Sequence, residues 1–281
     1  MGGGLTEGDE CAVDIRRLKN IAIIILAALN LCFAALIVMN RYDDARISRR
    51  EKSELAELFA GNGIELEQND IPRDVEAWNC AIERDLSAEA AAVKKLLGEV
   101  EPTDQGGNIF YYENENGWAT FRNNGEFEIY FNYLDDARGA ENTARGLLDD
   151  MGMEFSASGA VTEEHGDSRS ISFVCTWNGK SILNCRVQLT LYSGGSAAIS
   201  GRRLNGEPQK SGDTLKPDVN TMLIGFLDDI RSGGLVCKRI ESIELCYMMG
   251  SSATENTLEP VWQISTDGGD YRISVQTGEL L

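Results

Sequence analysis

Hydrophobic positions fall into three regimes along the chain. From Ile21 to Met39 they run unbroken, IAIIILAALNLCFAALIVM, 19 residues with no charge and one strongly polar side chain, Asn30. At about 1.5 Å per residue the run covers about 28 Å, close to the hydrocarbon thickness of a bilayer. A soluble core helix of this length shows a polar face, and this one does not. From Asp44 to Ala60 the apolar positions thin to a short edge, Leu55, Leu58 and Phe59, behind the charge-rich ARISRREKSE. That pattern predicts a helical stalk in solvent, stopped by Gly61-Asn62-Gly63. Beyond Gly63 the pattern alternates between periods of two and of 3.6.

The alternation predicts elements in order. A brief extended piece, IELEQ, precedes Pro72, and Val75 to Asp85 fits a strand. Ser87 reads as the cap of a helix running to Leu97 and closed by Gly98. Residues 108–132 read as a β-meander with a turn at Asn124-Gly125. Glu141 to Met151 reads as a helix, followed by strands at Ala160–Glu164, Ser168–Trp177, Ser181–Tyr192 and Ser196–Arg203. Gly201 to Lys216 is polar and reads as a loop. Asp218 to Arg231 reads as a helix with Leu223, Phe226, Leu227 and Ile230 on one face. Ile240–Met249, Glu259–Thr266 and Asp270–Val275 read as the last strands. Helices alternate with antiparallel hairpins, not with single crossover strands, which argues for an α+β fold. The predicted architecture is an N-terminal transmembrane helix followed by extracytoplasmic antiparallel sheets with helices packed on one face, in two similar subdomains. Its parts are a cytoplasmic tail (1–20), the span (21–40), a juxtamembrane helical stalk (41–62), and subdomains at 63–137 and 138–281.

Charge supports this division. The 26 Lys and Arg against 45 Asp and Glu leave a formal charge of −19. Residues 1–41 are neutral, so the acidity lies beyond the span. An acidic surface of that size repels phosphate backbones, so no nucleic acid partner is expected. The competitor to an uncleaved anchor is a signal peptide, whose apolar stretch is about 7–15 residues and ends at a small-x-small site. Leu36 to Asn40 offers no such site, and Leu31 before Cys32 argues against a lipoprotein box. Arg16, Arg17 and Lys19 sit directly before the span, and several basic residues follow it. Long domains translocate largely regardless of charge, so the short tail is expected inside and the C-terminal part outside the cell membrane.

Chemistry is sparse. No HExxH, GxSxG, P-loop or GxGxxG occurs. The single histidine, His165, sits in a polar turn, and no metal site or cofactor is expected. Asp135-Asp136, Asp149-Asp150 and Asp228-Asp229 read as solvated helix ends and loops. Tyr111, Tyr112, Tyr130, Phe131 and Tyr133 read as core and sheet face. The outer part holds Cys80, Cys175, Cys185, Cys237 and Cys246, an odd number without CxxC spacing. Cys175 and Cys185 flank a two-residue hairpin turn, Asn178-Gly179. In that register Cys175 faces Ile182 and Cys185 faces Ser172, on opposite faces, so the pair is expected not to bridge. Free buried thiols are expected. The opening Met1-Gly2 to Thr6 fits a myristoylation pattern, which a spanning anchor makes superfluous. Within the span, Ile23, Ala27, Asn30, Ala34 and Ile37 share one helical face. An amide in lipid seeks a partner, and alanines let a second backbone approach, so this face is a candidate helix–helix contact.

Two groups of residues carry a resemblance. Val13-Asp14-Ile15-Arg16-Arg17-Leu18-Lys19-Asn20 leads into an Ile-rich span with a central Leu29-Asn30-Leu31. Leu58-Phe59 through Gly63-Ile64-Glu65-Leu66 to Ile71-Pro72 follows. The closing stretches are Ile243 to Tyr247, Glu259-Pro260-Val261-Trp262-Gln263-Ile264, and Tyr271 to Glu279. Together these resemble the YycI (WalI) family, and the ending also resembles PepSY-type modules through its Pro-x-Trp and Thr-Gly-Glu elements. Residues 90–235 match in layout more than in letters. Ile15 stands where the family usually has Trp, and residues 1–12 are an extra tail that makes Val13 a candidate start. The resemblance implies a non-enzymatic accessory regulator of a cell-wall-controlling two-component system, YycFG (WalRK), of Gram-positive bacteria. It implies a sensor histidine kinase (WalK) and a YycH-like companion as partners through membrane helix and outer domains, with no small-molecule substrate. The alternative is a PepSY-like inhibitor or binding module acting on a protease or cell-wall enzyme.

Overall fold

Residues 26, 27, 29–33, 49–73, 75–135, 139–156, 161–252 and 255–281 are described by the computed structural model. The chain divides into two compact units, Met1–Asn62 and Gly63–Leu281. In the first, helix α1 covers 49–61, with an Arg50–Glu54 ion pair at 2.8 Å one turn apart. Leu55 and Phe59 are buried and Leu58 is exposed. The Asn62 side chain donates to the Leu58 carbonyl at 2.7 Å and closes the helix.

The second unit is α+β, built on one curled, thirteen-stranded sheet. Its strands are β1 (Ala77–Ile82), β2 (Thr103–Asp104), β3 (Phe110–Asn114), β4 (Gly117–Phe121), β5 (Glu126–Phe131), β6 (Val161–His165), β7 (Ser168–Trp177), β8 (Lys180–Tyr192), β9 (Ala197–Arg202), β10 (Pro208–Leu215), β11 (Ile240–Ser251), β12 (Asn256–Thr266) and β13 (Gly269–Ser274). Its helices are α2 (Leu86–Leu97), α3 (Ala140–Asp150) and α4 (Val219–Arg231). Each helix is followed by an antiparallel three-strand meander, β3–β4–β5, β7–β8–β9 and β11–β12–β13. The first two meanders join where β5 pairs with β9 from Glu126↔Arg202 to Phe131↔Ala197. Strands from either side of residue 137 in sequence are thus neighbours in the sheet.

Register explains the core. Ala119, Ile129, Ile199, Leu189 and Ile171 lie directly opposite one another across β4, β5, β9, β8 and β7. All are buried, and they share one core with Ala92, Val93 and Leu97 of α2 and Ala144, Leu147 and Leu148 of α3. The next row brings Phe127 and Val187 against Gly201, where a Cβ would run into the Arg186 carbonyl oxygen, so no larger residue fits. Helix α4 buries Val219, Met222, Leu223, Phe226 and Leu227, and Phe226 packs on Tyr271 of β13 at 5.4 Å.

The third meander meets the rest through a seam. Next to Cys175 the β7–β8 ladder shifts register: Thr176 pairs with Ser181, but Val174 pairs with Arg186. Ile182 to Cys185 of β8 thus stand opposite Cys175 alone. In this stretch Ile182 makes a parallel bridge to Tyr247 of β11. Two residues on, the Asn184 side chain acts as an extra peptide group. Its Oδ1 accepts from the Met249 N–H at 2.9 Å and its Nδ2 donates to the Met249 carbonyl at 2.8 Å.

Three expectations are corrected. The bulge, absent from a plain two-residue hairpin register, brings Cys175 and Cys185 into the same buried core; both remain free thiols. The polar stretch read as a loop contains β10, paired with β1 from Ala77↔Leu215 to Ile82↔Pro208. It shows no apolar alternation because it is an edge strand with mostly exposed side chains. Lys210 Nζ lies 3.4 Å from the centre of the Trp78 ring, and Trp78 Nε1 donates to Thr214 at 3.1 Å. The cap of α2 is Asp85, not Ser87: its Oδ1 accepts from the Ala88 N–H at 2.9 Å and from the Ser87 hydroxyl at 2.6 Å.

Two outcomes follow. Asn184→Ala leaves both Met249 backbone groups unpaired at the seam and is expected to destabilise the protein by about 2 kcal/mol in urea unfolding. The second concerns acid. The Thr221 hydroxyl, with the Thr221 and Asn220 N–H groups, holds the Asp218 carboxyl below its ordinary 3.8. Ser87 and Ala88 do the same for Asp85, and the Lys238 and Arg239 N–H groups for Asp267. A carboxyl depressed in the folded state stabilises fully above its unfolded value and loses that contribution as pH falls through the folded one. The urea midpoint is expected to hold down to about pH 5 and drop below about pH 4, with a smaller drop in Asp218→Asn.

Candidate functional site

Residues 203–207 connect β9 to β10 and read as loop, yet Arg203 and Asn205 are buried at 5% and 3% exposure. The reason is a dense set of hydrogen bonds. The Arg203 N–H donates to the Gly125 carbonyl at 3.0 Å, and the Asp85 N–H donates to the Asn205 carbonyl at 2.8 Å. Asn205 Nδ2 and Asn256 Nδ2 both donate to the Asn123 carbonyl at 2.7 Å. Asn256 Nδ2 also reaches Asn205 Oδ1 at 3.3 Å. At Gly206 the Glu83 carbonyl oxygen occupies the space a Cβ would need. The segment therefore knits the β4–β5 turn, the start of β12 and the β1–α2 corner together.

Below this segment lie buried charges. Glu89 on α2 is 1% exposed and takes both carboxylate oxygens to Arg84, at 2.9 and 2.8 Å. Arg84 also donates to the Asn108 and Phe121 carbonyls at 2.5 and 3.3 Å. Arg203 is placed differently. Its Nη1 donates to the Met151 carbonyl at 3.2 Å, and its guanidinium lies 5.2 Å from the centre of the Phe121 ring. Among the described residues no carboxylate forms an ion pair with it, and its buried Nε–H has no acceptor. Burial pulls its pKa down, opposed chiefly by the Glu89 charge.

Arg203 lines a cavity of about 360 Å³ between the N-cap of α2, the end of α3, the end of β7 and the 203–208 segment. Cys175 also lines it, with its Sγ–H directed at the Arg202 carbonyl at 3.6 Å. Burial pushes the Cys175 thiol far above its ordinary value and pushes those of Cys185 and Cys246 up to about 12.

The residues singled out from sequence are distributed otherwise. On the candidate membrane face, Ala27 and Asn30 lie in helical backbone with exposed side chains. Ile23, Ala34 and Ile37, and the flanking Arg16, Arg17 and Lys19, lie outside the described residues. Among the described residues no helix is long and apolar enough to cross a membrane. His165 ends β6 at the turn to β7. Among the described residues no group of three or more His, Cys, Asp or Glu is placed to hold a metal ion. Asp149, Asp150, Asp228 and Asp229 are exposed at the last turns of α3 and α4. Tyr112 and Phe131 are core, while Tyr111 and Tyr130 flank Trp118 in a stack at 6.3 and 6.1 Å on the sheet's other face. Arg203 escapes local reading, since the run Arg202-Arg203-Leu204-Asn205-Gly206 has the letters of a solvated turn.

No protein-family model matches the chain, and no curated protein or solved structure matches it.

The thiol environment has a direct readout. A raised pKa leaves little thiolate at about pH 8. In the native protein Cys175, Cys185 and Cys246 are expected to resist iodoacetamide at that pH and to react fully once unfolded, as mapped by peptide mass spectrometry.

Proposed function

We propose that the protein is a membrane-anchored, non-enzymatic regulator that displays its unit 63–281 outside the cell and modulates a sensor histidine kinase within the membrane. The observation that carries this reading is the uninterrupted apolar run from Ile21 to Met39, charge-free and with Asn30 near its middle, ahead of a chain whose net charge of −19 lies beyond it. Asn30 and Ala27 on one helical face offer a hydrogen bond and a close backbone approach to a kinase helix. Regulation requires only that this face bind the two signalling states of the kinase with different affinity. The kinase as partner, with a YycH-like companion, comes from the resemblance of the two ends of the chain to the YycI family. The high thiol pKa values also fit a binding role, since they leave no activated cysteine nucleophile among those groups.

Affinity capture from native membranes tests it, using wild type, Asn30→Leu and a chain with residues 21–39 replaced by leucines. A histidine kinase is expected with wild type, several-fold less with Asn30→Leu, and none with the replaced span. Equal recovery of one exported protease or wall enzyme by all three would move recognition to the outer unit and overturn the kinase reading.

A further inference from the structure

The Arg203 cavity is a feature that regulation through a membrane helix does not use. Its lining includes Arg203, a residue 5% exposed, with a single side-chain hydrogen bond and a buried Nε–H without acceptor among the described residues. Buried charges in folded proteins are normally paired and hydrogen-bonded. Glu89, the carboxylate whose charge acts most on it, already gives both oxygens to Arg84. A guanidinium left in this state matches the fork geometry of a carboxylate.

The rim has the opposite charge. Asp85, Glu154 and Glu207 line the cavity and are exposed. A plain anion entering would be repelled by three carboxylates, and a plain cation would meet the charge of Arg203 in the lining. A molecule carrying both charges satisfies both ends. Trp177 and Met153 supply apolar wall, and about 360 Å³ suits a free amino acid or a dipeptide.

We propose that this cavity binds a zwitterion of the amino-acid class, its carboxylate on Arg203 and its ammonium group at the Asp85, Glu154 and Glu207 rim. The site lies wholly within the unit 63–281 and stands whether or not the kinase reading does. The cavity is lined by the 203–207 segment, which is hydrogen-bonded to three separate elements, and so gives the unit 63–281 a means of sensing a small molecule.

Isothermal titration calorimetry on the full chain in detergent micelles tests it. The probes are glycine, L-alanine, L-leucine, L-glutamate and L-alanyl-L-alanine, each with its deaminated and decarboxylated analogue. At least one probe is expected to bind saturably with a Kd at or below about 1 mM, and its single-charge analogues at least about tenfold more weakly. Arg203→Met is expected to abolish binding. Because that buried change can also perturb folding, the double variant Glu154→Gln/Glu207→Gln, altered only at exposed positions, is the second arm. It is expected to weaken the amino acid several-fold and leave the deaminated analogue unchanged or tighter. No heat from any probe up to about 10 mM overturns the proposal. So does equal affinity for the deaminated analogue, which would make the cavity a simple anion site, and so does binding that neither variant affects.

Discussion

The unit 63–281 is joined at a register break in one strand. Past the shift, residues 187–191 of β8 pair with β7 on one edge and β9 on the other, whereas inside it Ile182 meets β11. The stretch between Thr176↔Ser181 and Val174↔Arg186 is where the parallel bridge from Ile182 to Tyr247 forms. One bridge is a thin connection between the two parts of the sheet. Side-chain amides thicken it, Asn184 gripping both backbone groups of Met249 and the amides of Asn205 and Asn256 converging on the Asn123 carbonyl. A bulge that bends a strand and re-aims its side chains is here the joint of the fold.

The same joint concentrates polar groups where apolar ones would be cheaper to bury. The Arg84–Glu89 pair is almost fully desolvated, so its mutual attraction mainly offsets the loss of water, and its net value lies in fixing α2 against the β3 and β4 backbones. Arg203 is costlier still. Its stack on Phe121 and its bond to the Met151 carbonyl recover part of the desolvation, and the remainder is a standing demand for an acceptor. A scaffold alone has no use for that demand, whereas a site for a charged ligand does.

Much of the fold is legible in the sequence, and the physical reason is one-sided burial. Strands β7 and β8 and helix α4 each present one face to a core, so their periods are written in the letters, and the meander at 108–132 appears as read. Strand β10 is not legible because an edge strand wet on both faces needs no alternation; its Pro, Lys and Gly read as loop. The β8 bulge is illegible because the Asn178-Gly179 turn dictates a plain register near the turn, and no local letter marks the bulged stretch's neighbour, a strand some 60 residues later. The candidate site is least legible of all. Arginine and asparagine are surface letters, and their burial at 203–205 is decided by hydrogen bonds to Gly125, Asn123 and Asp85, far off in sequence. The candidate membrane face belongs to the opposite case, conspicuous in composition and resting on sequence.

Native-state hydrogen exchange, read at single residues, tests the seam most directly. The account predicts that the Met249, Asp85 and Arg203 amides, whose acceptors are the Asn184 side chain and the Asn205 and Gly125 carbonyls, exchange only through global unfolding, as slowly as Ile199 in the central ladder. Rapid exchange at these three amides with Ile199 still protected would show that the third meander is not locked to the rest of the sheet at the seam, and would contradict it.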